Sequence, residues 1–167
     1  MKRRSALVQL TQVGVAGLVL GGCGFKLRGS YNYAFDSIAV MPNPGGPLGI
    51  ELRRSFGDTV RVLELDAPLP QAQAVIDILQ EQREKTVVGV NSSGQVREFQ
   101  LRVRVKFRVR TPQGQELIPE TEVLQQRDIS FNESAVLAKE AEEVLLYRAM
   151  QTDIVQQLLR RLVAVKL

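Results

Sequence analysis

The stretch Phe99–Arg110, "FQLRVRVKFRVR", decides how the chain must fold. Phe99, Leu101, Val103, Val105, Phe107 and Val109 are apolar; between them stand Arg102, Arg104, Lys106, Arg108 and Arg110. Alternation with a period of two marks a β-strand, because successive side chains point to opposite faces. The odd-numbered residues must therefore line a core. The even-numbered cations must meet water, acids or a polar partner, since burying an unpaired charge is prohibitively costly.

Turn signals flank this strand. "NSSGQ", Asn91–Gln95, precedes it and "TPQG", Thr111–Gly114, follows it. Upstream, Val75–Val90 reads as a long strand. Its apolar positions change parity, with Val75 and Leu79 odd and Ile76, Ile78, Val88 and Val90 even, which predicts a β-bulge. Downstream, Glu116–Phe131 reads as a third strand, completing an antiparallel meander. A three-residue loop with Gly114 in the left-handed position sets the expected register. It pairs Arg110 with Glu116, Lys106 with Glu120 and Arg104 with Glu122 on the cationic face. It pairs Val103 with Val123 and Val109 with Leu117 on the core face. Arg102 and Arg108 fall opposite Leu124 and Ile118 and are expected to stay unpaired. Exposed ion pairs contribute only about 0.2–1 kcal/mol each. A solvated outer face and a face that meets a partner's polar wall or an anionic ligand both fit this pattern.

The rest of the chain supplies cover for the apolar face. Ser37–Pro42 is a short strand ended by Pro, followed by the turn "NPGGP", Asn43–Pro47. Leu48, Leu52 and Phe56 then recur at helical spacing, with Pro47 suited to the first turn. Val60–Leu65 can form a strand, and "DAPLPQ" is a loop. A long helix is expected over Glu133–Val163, with Asn132 as N-cap. Its expected core stripe is Leu137, Ala141, Val144, Tyr147, Ile154, Leu158 and Leu162. Acidic residues early in this helix, and Arg160, Arg161 and Lys166 late, suit its dipole. The order β-α-β-β-β-α predicts an α+β two-layer sandwich, a mostly antiparallel sheet of about four strands with two helices packed on one face.

The chain of 167 residues carries no His and a single Cys. That excludes a histidine acid–base relay, an intrachain disulfide and any multi-cysteine metal site. No Gly-x-Ser-x-Gly elbow or phosphate-cradling loop appears, so no enzyme, cofactor or metal is expected. The N-terminus reads as a targeting segment. "MKRR" is followed by a short apolar run, Ala6–Leu20, interrupted by Gln9, Thr11 and Gln12, and then by "LGGC" ending at Cys23. The run is too short and too polar to span a membrane. Leu20 three residues before Cys23 matches a bacterial lipobox. Residues 1–22 are therefore expected to be a lipoprotein signal peptide, Cys23 the lipid-attachment site, 23–36 an extended leader and 37–167 one sandwich domain. Loss of Lys2, Arg3 and Arg4 takes the formal charge from +4 to +1, which removes the main support for nucleic-acid binding. Gly24, in place of an inner-membrane-retaining Asp, fits an outer-membrane location.

Four segments together resemble the lipopolysaccharide-assembly lipoprotein family, LptE. They are "CGFKLRG" (Cys23–Gly29), "GPLGIELRRSF" (Gly46–Phe56), "SSGQVREFQLRV" (Ser92–Val103) and "VLAKEAEEVLLYRAMQTDIVQQLLRRL" (Val136–Leu162). The resemblance implies a lipid-anchored outer-membrane lipoprotein that plugs the β-barrel LptD in a 1:1 complex. It implies that the pair inserts lipopolysaccharide into the outer leaflet, and that the plug helps the barrel fold and binds the lipopolysaccharide itself. Lys139 matches the Lys of the family's Ala-Lys step and is an expected lipopolysaccharide contact. In the family a basic residue can precede the Gly-Gln turn; here Ser92 stands there, and Arg97 just beyond is the expected substitute. Arg102, Arg104, Lys106 and Arg108 are the expected partner-facing row. An adaptor or pilotin of another outer-membrane complex is the alternative reading.

Overall fold

The computed structural model describes residues 31–42, 45–64 and 67–167. The expected signal peptide, Cys23 and the "CGFKLRG" segment lie outside the described residues.

Among the described residues there are nine elements of regular structure. Five are strands: β1 (Ser37–Met41), β2 (Arg61–Val62), β3 (Ala74–Val90), β4 (Val96–Arg110) and β5 (Glu116–Ser130). Two are helices, α1 (Pro47–Ser55) and α2 (Val136–Val163), and two are single 3-10 turns at Leu69–Gln71 and Glu133–Ala135. The sheet order is β2-β1-β3-β4-β5. β3, β4 and β5 form the expected antiparallel meander, while β1 lies parallel to both β2 and β3. The sheet thus has five strands rather than about four. β2 is only two residues long, too short to stand out in a sequence.

The parallel β1 needs crossovers on both sides. α1 makes one, between β1 and β2, on the face it shares with α2. On the opposite face, between β2 and β3, Leu63 and Ala72 pack with Ala39 and Val75. The main core lies beneath the two helices. Leu101, Val103, Val105, Phe107 and Val109 of β4 meet Leu48 and Leu52 of α1 and Met150, Ile154, Leu158 and Leu162 of α2. Both faces of β4 are oriented as its alternation demands. Residues 31–36 also take part: Phe35 is buried, and the Tyr33 ring sits 5.2 Å from Phe35 and 5.6 Å from Phe56. The Tyr33 hydroxyl is buried with no hydrogen-bond partner among the described residues, and burial, with Tyr31 beside it, pushes its pKa up to about 12.

Two expectations about packing are corrected. First, the core stripe of α2 starts at Met150. Leu137, Ala141 and Val144 are exposed, Leu137 at 82% and Val144 at 57%. Three- and four-residue steps are each locally correct, but their phase drifts. Leu137 and Ile154, seventeen positions apart, lie about 100° apart around a 3.6-residue helix. Second, the β4–β5 register of Arg110 with Glu116 holds only at the turn. It shifts to Val109 with Ile118, and then to Phe107 with Thr121 and Lys106 with Glu122. Pro119 has no N–H for the ladder, and the chain absorbs it together with Glu120 in a bulge. Val103 therefore faces Gln125, and Arg104 faces Leu124. The ion pairs expected for these cations form all the same, along diagonals: Arg104–Glu122 at 3.0 Å and Lys106–Glu120 at 3.8 Å.

Candidate functional site

The cationic row is held within the sheet from both sides. Arg108, expected to be unpaired, donates from Nε to Asp77 Oδ2 of β3 at 2.8 Å. Arg110 donates to the same carboxylate, Nε to Oδ2 at 2.8 Å and Nη2 to Oδ1 at 3.3 Å. Arg102, also expected to be unpaired, donates from Nε to Gln100 Oε1 at 2.7 Å. Asp77 is only 8% exposed. Burial by itself would push its carboxyl up; hydrogen bonds from Arg110 and Arg108 and attraction to both charges outweigh it and hold the pKa below the ordinary carboxylate value. The outer face of β4 is therefore a hydrophilic wall whose cations are each occupied by a neighbour.

The expected ligand contacts lie on the other face. Beyond the core, the first turns of α2 lean over the far end of the meander and leave a cavity of about 220 Å³. Its floor is Phe99, Ile129 and Phe131, with Val136 opposite. The two Phe rings meet edge to face with centroids 5.3 Å apart. Lys139 lines this groove and donates to Ser130 Oγ at 3.0 Å and to Glu142 Oε2 at 2.8 Å. Arg97 lies at the start of β4, where the register with β3 shifts between Gly89 and Val90, and its carbonyl accepts from the Phe131 N–H at 2.7 Å. The structure thus places Lys139 in the groove, leaves Arg97 exposed at the start of β4 and outside the groove's lining, and keeps Arg102, Arg104, Lys106 and Arg108 on the reverse of the sheet. Ser92 is exposed in the β3–β4 turn, where Asn91 Oδ1 accepts from the Ser93 and Gln95 N–H groups.

A second cation in the groove has no signal in the sequence. Lys85 sits 4.4 Å over the Phe99 ring and donates to Glu143 Oε2 at 2.6 Å. The bulge between Ile78 and Gln80 turns Lys85 toward the helices, opposite the buried Leu101. The change of parity in Val75–Val90 signalled that bulge but not its position. Next to the groove, Arg83 donates to Gln151 Oε1 at 2.6 Å, and Gln151 and Thr152 donate to the two oxygens of Glu51 at 2.6 and 2.7 Å. This chain of polar contacts ties β3, α2 and α1 together and accounts for the buried Gln151. Among the described residues no group of three or more Cys, Asp and Glu could hold a metal ion, and no helix is long and apolar enough to cross a membrane.

Fold and site together define a class: a small α+β domain with one hydrophilic sheet wall and an amphipathic groove, apolar with cationic edges, at the far end of the other face. A sequence model described as "LptE: Lipopolysaccharide-assembly" matches residues 35–162. The chain belongs to the LptE family, which is not a family of enzymes. It is 30% identical over 156 residues to the LPS-assembly lipoprotein LptE of Yersinia enterocolitica, covering 92% of this chain and 74% of that one. The corresponding protein of Pectobacterium atrosepticum is 26% identical, covering 92% and 83%. The solution structure of lipoprotein B from Nitrosomonas europaea superimposes with a TM-score of 0.73 at 35% identity, covering 84% of this chain and 91% of that one. Rare lipoprotein B from Shewanella oneidensis shares the fold, with a TM-score of 0.65 at 21% identity over 77% and 94%.

Proposed function

We propose that this protein is an outer-membrane lipoprotein, anchored through Cys23, that serves lipopolysaccharide assembly as the plug of an LptD-like β-barrel in a 1:1 complex. The observation that carries the reading is the two-sided sheet. A barrel lumen is lined by polar groups, and a plug for it needs a hydrophilic outside over an apolar core. The β4 wall supplies that outside. Its Arg104–Glu122, Lys106–Glu120 and Arg108–Asp77 pairs keep it wet without leaving a strong field of one sign. Such a wall suits contact with a hydrated, mixed-charge lumen better than capture of an anion.

Lipopolysaccharide itself is assigned to the groove. The ligand carries phosphates next to acyl chains. Lys139 and Lys85 offer cations to the first, with Arg97, exposed at the start of β4, as a further one, and Phe99, Ile129 and Phe131 offer apolar surface to the second. The lysines' present partners, Glu142 and Glu143, are exchangeable surface-type pairs that contribute little on their own.

Two experiments test this. Tagged protein purified from outer membranes is expected to bring down a stoichiometric large β-barrel; a different complex in its place would make the protein an adaptor or pilotin instead. Lys139→Glu and Arg97→Glu are each expected to weaken lipopolysaccharide binding by the purified protein about tenfold, the size of one charge-assisted hydrogen bond. Undiminished binding in both variants would remove the groove from the reading.

A further inference from the structure

The groove under α2 carries anions of its own. Lys85 and Lys139 line it, and so do Glu140 and Glu143, so two cations are balanced by two carboxylates. Of the two ion pairs made there among the described residues, only one crosses the groove. Glu143 reaches from α2 to Lys85 of β3 at 2.6 Å, and its side chain is 22% exposed. Lys139 pairs along its own helix with Glu142, which is 49% exposed and lies outside the groove's lining. The Phe99 ring, 4.4 Å from the Lys85 ammonium, attracts that cation and holds it at the groove's floor. The helix dipole does not explain the inward carboxylate. The first turn of α2 holds no acid, and the dipole's pull fades within one turn.

This arrangement sets a condition on any anion that enters. To reach Lys85 it must take the place of a carboxylate. A singly charged group, such as a phosphate diester or a fatty-acid carboxylate, exchanges like for like and leaves Glu143 unpaired and facing it. A phosphate monoester carries a charge of about −1.5 to −2 at neutral pH and three strong acceptor oxygens. It has charge and acceptors enough for both ammonium groups, and charge-assisted hydrogen bonds are the strong ones. Discrimination of this kind rests on repelling the wrong ligand as much as on attracting the right one.

We propose that Glu143 is a specificity-determining residue of the groove: seated on Lys85, it admits an amphiphile whose head carries a phosphate monoester and turns away amphiphiles whose head carries a single negative charge. The identity of the natural ligand rests on the reading of the groove as a lipopolysaccharide site; the selection itself follows from the Lys85–Glu143 pair. The phosphates of the lipopolysaccharide anchor are monoesters and those of ordinary bilayer phospholipids are diesters, so the pair sorts the cargo from the lipid around it. A surface-type pair is enough for this, because it only has to tip the balance between two ligands.

The test compares two soluble lipids with the same short chains, dihexanoyl phosphatidic acid (a monoester) and dihexanoyl phosphatidylglycerol (a diester), titrated into the purified protein by calorimetry. The wild type is expected to prefer phosphatidic acid about tenfold, the size of one charge-assisted hydrogen bond. Glu143→Gln keeps the side chain's size and frees Lys85. It is expected to raise the affinity for phosphatidylglycerol about three- to fivefold and to narrow the preference to about two- to threefold. Lys85→Gln is expected to narrow it from the other side, by weakening phosphatidic acid. Glu140→Gln is the control: it removes the same charge from the same groove but breaks no ion pair among the described residues, and the preference should stay at least as wide. No difference between the two lipids in the wild type, absence of binding included, overturns the proposal. So does a preference unchanged by Glu143→Gln or Lys85→Gln, or one narrowed as much by Glu140→Gln. Binding of purified lipopolysaccharide, measured alongside, separates this inference from the reading beneath it. Lipopolysaccharide binding that Lys139→Glu weakens, with no preference between the short lipids, sinks the selection alone. A preference that follows Glu143, with no lipopolysaccharide bound, sinks the lipopolysaccharide reading and leaves a monoester-selective groove.

Discussion

Replacing Asp77 by Ala probes how β3 and β4 are locked edge to edge. Three N–H···O contacts reach this carboxylate, two from Arg110 and one from Arg108. A hydrogen bond to a charged group contributes about 1.5–3 kcal/mol. The side chain of Arg110 is 22% exposed and earns a value near the lower end, while that of Arg108 is 46% exposed and counts as a surface pair of under about 1 kcal/mol. The expected loss for Asp77→Ala is therefore about 2–3 kcal/mol, which lowers a urea midpoint by about 1–2 M at a typical slope for this size. Asp77→Asn keeps the shape and isolates the charge. Because the folded-state pKa lies below the unfolded value of about 3.9, the carboxylate's stabilisation is fully present above about pH 4 and is lost as pH falls through the folded value. The gap between wild type and Asp77→Asn should be wide at neutral pH and close as pH falls below the ordinary carboxylate value and through the folded one. Urea titrations followed by circular dichroism at several pH values measure it. A gap independent of pH, or a loss below about 0.5 kcal/mol for Asp77→Ala, would refute the assignment of the outer wall's rigidity to this carboxylate.

Leu158→Ala should cost about 2–5 kcal/mol, whereas Leu137→Ser should change stability by no more than about 0.5 kcal/mol; thermal melts of the two separate the true core stripe from its apparent extension. Tyr33→Phe removes a buried hydroxyl without a partner and should stabilise the fold by about 1 kcal/mol, raising Tm by about 2–5 °C. In the wild type the raised phenol pKa means stability is lost as pH climbs past about 10, and Tyr33→Phe should abolish that share of the alkaline decline in melting temperature.

The meander was legible because β4 alternates without a break over Phe99–Arg110 and both its turns carry Gly at positive φ, Gly94 at 79° and Gly114 at 98°. The face of every cation in that strand followed from the same pattern. Their partners did not. Asp77 lies on the upstream strand, beyond a bulge that no local residue type locates, so an account built on β5 acids alone left Arg108 unpaired. The register departs from the one the Gly114 loop dictates because Pro119 cannot donate to the ladder and is taken up in a bulge. The parallel seat of β1, between β2 and β3, rests on contacts between Ile38 and both Val62 and Ala74, far apart in sequence, and short strands carry too few side chains to announce such pairings. Lys139 and Arg97 are legible from resemblance; that Lys85 joins Lys139 in the groove depends on the β3 bulge between Ile78 and Gln80.

The division of α2 into a buried half and a bare half has a consequence for motion. Amides from Met150 onward are sealed under the core and should exchange with solvent only when the whole domain comes apart. Those before Tyr147 are held by little more than the helix itself and a few surface pairs, so they should exchange far faster through fraying of that segment alone. The lip over Phe99 and Phe131 can therefore lift while everything below it stays shut, and a bulky guest could enter without the scaffold loosening its grip.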